Sequence, residues 1–438
     1  MQQLLVLAAV SLLPMYFSVW ARQSRDLVGV SVINWVVMLA VGLAFVQWFG
    51  SRLLKRSRSR FPLPIAMVAL FVVPYVFAHL SGYSMVDQIP PELVTSEGAF
   101  SSMKNWYLSH LGMSLLTTVG MAVAIASALQ RGVRLTHVLT AMALPLVPVV
   151  AHALIVTFTS GLSLGDLTSE QNRHFLQNET TFGLHGNALG QYSVFAYVLF
   201  LGAIEGTPHS RTRSFFVVMA VVAIAGVLIG FSRAAFGVTT LVTLLWNVRT
   251  PGAKKWLVPA LVLVLFLFMP ADLFQRVGKG VATGDIDQIL SGRLQHMWIP
   301  ALQEVGKNPW TGHGWGAYMW SDAVLLRLAY RTATVHNAYI RLLMEMGIVG
   351  LALVLAFYAW IFAEAHRLVR FAHDDLTRAM LKAVRWLVVA MLLTGMIGDA
   401  ITPEMIQVYF WYGIGIFLWY RATLVERARV PLNAASAA

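Results

Sequence analysis

The chain is 438 residues long, 58% hydrophobic and only 12% charged, a balance that the wetted surface of a soluble enzyme could not accommodate. It contains no cysteine, which removes disulfides, thiolate zinc sites, iron–sulfur clusters and a thiol nucleophile from consideration. The net charge of +12 has to be weighed against loop topology and anionic lipid head groups before nucleic acid is invoked.

Apolar runs of about 20 residues, each long enough to cross a bilayer, recur along the chain. Between polar or Gly- and Pro-rich breaks they fall at 3–20, 27–49, 61–83, 108–129, 135–160, 188–206, 215–231, 234–248, 256–271, 338–364, 386–399 and 404–420. The predicted fold class is an all-α polytopic membrane protein, one integral membrane domain over 1–438 with 12 transmembrane helices. The last two runs are short enough to form a re-entrant hairpin instead. The first has no basic residue ahead of it and Arg22 and Arg25 behind it, so it reads as a retained helix and not as a cleaved signal.

With the amino terminus cytoplasmic, the alternate connections 51–60, 130–134, 210–213, 249–255, 366–385 and the tail from Arg421 carry 20 of the 32 basic residues. Lys- and Arg-rich loops resist translocation, so this places both termini inside and makes much of the positive charge topological. No nucleic-acid partner is called for; the expected neighbours are membrane lipids.

Two outward connections remain. The segment 163–192 offers Arg173, His174, His185 and Asn187, which could hold sugars or simply cap the bundle. The other, 272–335, is too long to be a mere link, and such loops are usually functional. Within it Leu290, Leu294, Met297, Trp298, Ala301 and Leu302 recur at helical spacing, predicting an amphipathic helix on the membrane surface. Gly312, Gly314 and Gly316 in NPWTGHGWGAY permit tight turns and close approach of a ligand.

His336 falls where this loop enters a helix. A neutral imidazole there can take a proton from a hydroxyl nucleophile, or it can merely bond backbone at a helix start. The 12 histidines include no HExxH or other compact ligand set, so no metal site is indicated. Further along, Gly347 and Gly350 make a GxxG step suited to packing against another helix, and Arg341 and Glu345, four apart, are placed to pair. Arg233 in GFSRAAFG interrupts a nearly continuous apolar run from Phe215 to Trp246, and Arg293 in SGRLQHMW sits at the outer edge. A guanidinium fork matches phosphate oxygens; the alternatives are snorkelling for Arg233 and plain exposure for Arg293. Asp399 in GMIGDAITPEM could orient His336 or an arginine, or cap a turn.

His336-Asn337, nine residues, then Gly347-x-x-Gly350 resembles the signature of the O-antigen ligase family. The preceding SGRLQHMWIPALQEVGKNPWTGHGWGAY is similar to that family's loop, and GFSRAAFG to its earlier arginine motif, so the resemblance is specific over about 230 to 350. It implies transfer of O-antigen polysaccharide from undecaprenyl diphosphate to a sugar hydroxyl of lipid A-core, at the periplasmic face of the inner membrane, without metal or cofactor. Carried over by position, His336 matches the catalytic histidine and Arg233 and Arg293 the two essential arginines, with Asp399, Asn337 and Arg341 in support. Alternatives within the superfamily are an O-antigen polymerase and a protein O-oligosaccharyltransferase. Another class, a lipid-linked sugar flippase or transporter, is disfavoured because the distinctive residues cluster on one face and no inverted repeat is visible.

Overall fold

The computed structural model describes residues 2–15, 32–53, 63–90, 103–159, 184–208, 210–230, 232–248, 286–290, 292–329, 334–396 and 403–427, with the single positions 93, 282, 284, 398 and 401. Among them there is helix and no strand. In chain order the helices are α1 (Gln2–Leu12), α2 (Val32–Leu53), α3 (Ile65–Gln88), α4 (Met103–Gln130), α5 (Leu135–Thr159), α6 (Gly186–Gly206), α7 (Ser210–Ile229) and α8 (Arg233–Val248). There follow α9 (Ile299–Val305), α10 (Ala338–Val369), α11 (Asp375–Gly395) and α12 (Val408–Arg427). Helix therefore occupies eleven of the predicted spans, and 256–271 lies outside the described residues.

Six of these helices, α3 to α7 and α10, are long and apolar enough to cross a membrane, and shorter apolar helices run over Gln3–Met15, Ile33–Phe49 and Ala234–Asn247. Large apolar side chains on their outer faces, such as Leu39, Val46, Phe77, Phe158 and Val221, are exposed, as a lipid-facing surface requires. The chain is a helical membrane protein.

Helix α6 is the hub, packing on α7, α8, α11 and α12. Its Gly202 and Gly206 stand four apart, and a methyl group on either would press into Ala383, Ala379 or the α11 backbone. Small residues thus bring two backbones together, the usual means of association where lipid is no worse a solvent than Leu. Helix α11 begins eleven residues earlier than its apolar run, capped by the Asp374 side chain, which accepts from the Thr377 N–H at 2.8 Å. Hydropathy misses this part because it carries Asp375, Arg378, Lys382 and Arg385, yet its helical spacing pairs Arg378 with Asp375 and Lys382 with Glu205 of α6. At 21 and 20 residues, α11 and α12 are each longer than the apolar runs 386–399 and 404–420 that predicted them.

Prolines reshape two helices. Pro74 and Pro300 each follow a wide π turn, Val68–Val72 and Leu294–Trp298. A proline ring lacks the N–H and collides with the carbonyl four residues back, and a widened turn relieves both. In the loop helix this shifts the predicted stripe: Met297, Ala301 and Val305 are buried, whereas Leu302 is 46% exposed.

Candidate active site

His336 takes φ +53, the left-handed region that a residue with a Cβ enters at a cost of about 1–2 kcal/mol. Three bonds hold it there. The Trp298 indole N–H donates to the carbonyl of Val335 at 3.2 Å, tying the loop helix to the residue before it. The Asn337 amide donates to the Met396 carbonyl at 3.2 Å, and the Ala338 N–H to the Gly398 carbonyl at 2.9 Å, tying the residues after it to the end of α11. His336 Nδ1 lies 3.3 Å from the Thr334 hydroxyl. Asn337 is also the N-cap of α10, its side-chain oxygen accepting from Tyr339 and Ile340, so one residue both starts the helix and moors it. We expect Asn337→Ala to lower stability by about 1 kcal/mol through the lost cap alone, read as a lower melting temperature in detergent.

Gly398 links this point to two more helix starts. A Cβ on it would collide with the Gln191 side-chain amide in the second turn of α6. The first turn of α6, capped by His185 Nδ1 accepting from the Asn187 N–H at 3.2 Å, packs glycine-close against the start of α8: Gly190 against Ser232 and Ala235, Gly230 against Gly186. The Ser232 hydroxyl accepts from the Ala235 N–H, so α8 opens at Arg233. The amino ends of α6, α8 and α10 therefore meet at one end of the bundle; caps occupy N–H groups of all three, and what they share towards an anion is the positive end of each helix dipole.

The predicted residues are placed as follows. His336 and Asn337 sit at this junction. Arg293 begins the turn that leads to Trp298, five residues on, and is half-buried. Arg233 contributes its backbone position; its side chain lies outside the described residues, as does Asp399 entirely, one residue beyond Gly398. Arg341 is spoken for elsewhere: it is buried, its Nε donates to Glu345 at 3.0 Å and its Nη1 to Glu404 at 2.7 Å. The predicted Arg341–Glu345 pair is formed; Glu404 was not foreseen. A shared Glu345 oxygen also accepts from the Gly316 N–H at 3.0 Å, and the guanidinium lies 5.9 Å from the Trp315 ring, itself stacked on His79 and His110. Arg341→Ala would leave two carboxylates facing one another with no cation between them, with an expected loss of about 3–5 kcal/mol, visible as failure to purify as a single species. The signals that could have pointed here were a lone acid in an apolar run, at Glu404, and a tryptophan amid glycines.

The GxxG step does something other than join helices. Gly347 has φ +65 and ψ −171, a break inside α10, and a Cβ on it would overlap the Trp310 carbonyl. The loop 308–316 threads through the gap. Its His313 and Gly314 N–H groups donate to the Met344 and Glu345 carbonyls at 2.7 and 3.0 Å, and its Pro309 and Trp310 carbonyls accept from Ile348 and Val349. Gly312 touches the Glu345–Gly347 backbone, while Gly314 touches Gly82 of α3. The three glycines that sequence marked for tight turns all have positive φ; the close approach of Gly312 and Gly314 is to other backbone, and that of Gly316 is to the Met319 and Trp320 side chains. No group of three or more potential metal ligands occurs among the described residues.

Residues 218–355 match the model of a family described as O-antigen ligase. This part of the chain is of the O-antigen ligase family. A protein named O-antigen ligase from Pseudomonas aeruginosa is 26% identical over 184 residues, covering 42% of this chain and 42% of that protein's own length. The matched region holds Arg233, Arg293, His336, Asn337 and both glycines of the broken helix, whereas Asp399 and Glu404 fall beyond its end.

Proposed function

We propose that this membrane protein is an O-antigen ligase that moves O-antigen polysaccharide from undecaprenyl diphosphate to a hydroxyl of lipid A-core, at the periplasmic face of the inner membrane with both termini cytoplasmic. The observation that carries the reading is His336, held in a left-handed conformation at the meeting of three helix amino ends, beside the turn that begins at Arg293.

The Thr334 hydroxyl, accepting from Nδ1–H of His336, would leave Nε2 as the basic nitrogen. Nε2 would take the proton of the acceptor hydroxyl as its oxygen attacks the anomeric carbon, and the bond from that carbon to the diphosphate oxygen would break, with inversion. The departing diphosphate gathers negative charge, which Arg233, Arg293 and the helix amino ends are suited to stabilise. Asn337 acts by positioning, and Asp399 is assigned to orienting His336 or an arginine.

The test is to incubate purified protein with lipid-linked polysaccharide and lipid A-core in the presence of a chelator. A joined product is expected. A lengthened donor would instead mean polymerisation, glycan on a protein hydroxyl would mean oligosaccharyl transfer, and no new bond would leave a transporter.

A further inference from the structure

A cavity of about 530 Å³ opens beside the loop helix, away from His336. Part of its lining comes from the last turns of α3, which tighten to a 3-10 helix over Tyr83–Gln88 and contribute Ser81, Ser84 and Gln88. The lining also includes Glu304, Lys307 and Asp322, in which the Lys307 ammonium bridges Glu304 at 2.8 Å and Asp322 at 2.7 Å. Trp320 adds an aromatic surface to the lining, and His313, also on the lining, donates from Nε2 to the Glu304 carbonyl at 3.0 Å. The size lies within the range of small-ligand sites.

The chemistry of the walls selects among ligands. Two carboxylates for one ammonium leave the cavity net negative, which repels phosphate and any other anion. Hydroxyls, an amide and an ion pair that can both donate and accept, with an indole alongside, suit an uncharged polyol. The location then says which one. Glu304 lies six residues along the loop helix from Trp298, the residue that holds Val335 next to His336, a rise of about 9 Å at 1.5 Å per residue. A glycan chain with its reacting end at His336 would reach the cavity within its next sugars.

We infer that this cavity is a carbohydrate subsite that holds uncharged sugars next to the reacting one, from either the polysaccharide donor or the core acceptor, and so sets specificity. The inference rests on the ligase reading for its substrate class. Ser84 is exposed on the cavity wall, so Ser84→Trp fills the space without entering the core; Asp322→Ala, which removes one carboxylate of the bridge, is the second variant.

Purified full-length protein is titrated calorimetrically with two probes, the delipidated O-antigen repeat oligosaccharide and the dephosphorylated outer-core oligosaccharide. One should bind wild type and lose at least about tenfold in affinity, or 1.4 kcal/mol, in each variant, and the KM for the corresponding substrate should rise in step while kcat at saturation holds. The probe affected identifies the source of the sugars. Binding by neither probe, unchanged affinity and KM in a folded variant, or a fall in kcat with both KM values unchanged would each overturn the subsite. If wild type joins no substrates yet binds an oligosaccharide in a Ser84-dependent way, the ligase reading falls and the subsite stands. Ligation that is indifferent to both variants gives the reverse.

Discussion

Replacing His336 by Asn is expected to reduce transfer by roughly 10²–10⁴-fold, the usual contribution of a positioned general base, while the protein purifies and melts as wild type does. Asn is chosen because it tolerates the left-handed backbone that His336 adopts at φ +53. An inactive variant therefore cannot be dismissed as misfolded. His336→Gly extends the experiment. Glycine enters this region without steric cost, so it should raise the melting temperature while remaining inactive, the pattern expected where strain is held at a working site. Arg293→Ala should lower kcat by roughly 10²–10³-fold, in line with loss of one donor to a developing anion. An active His336→Asn protein would remove the histidine from the mechanism whatever the arginines do.

Gly347→Ala should be a severely damaging small substitution. Its φ of +65 and ψ of −171 belong to a region open essentially to glycine alone, at a cost of about 1–3 kcal/mol for any other residue. The added methyl would also drive into the Trp310 carbonyl, which is backbone and cannot swing aside. We expect loss of folded protein, measured as the monodisperse fraction in detergent. Gly42→Ala is the control: a Cβ there meets nothing within 4 Å, and a helix interior favours Ala by up to about 1 kcal/mol. Equal yields of the two variants would show that the break in α10 does not depend on glycine.

The helices were legible because lipid imposes a length and a composition on whatever crosses it, so runs such as 188–206 and 215–231 announce themselves. What escaped were features whose partners lie far away in sequence. Arg341 shows its i+4 partner but not Glu404, 63 residues on. Gly347 and Gly350 read as a helix–helix step because that is the common use of small residues in membranes, whereas the partner of Gly347 is the loop turn at Trp310 and Thr311. The polar start of α11 was taken for a connection because hydropathy counts charge without regard to the face it occupies. The candidate site was legible in residue type and only partly in place: His336 could be named, but its mooring to Trp298 and Gly398 could not.

The crossing of loop and helix also bears on biogenesis. In an unbroken helix the Met344 and Glu345 carbonyls would accept from the Ile348 and Val349 amides, and at the break segment 308–316 takes over all four, so that none of them is left unpaired. In a hydrocarbon environment an unpaired group of this kind is penalised by several kcal/mol. The upper part of α10 is thus free to enter the bilayer as an unbroken helix and to open at Gly347 when segment 308–316 docks, one set of backbone partners being exchanged for another.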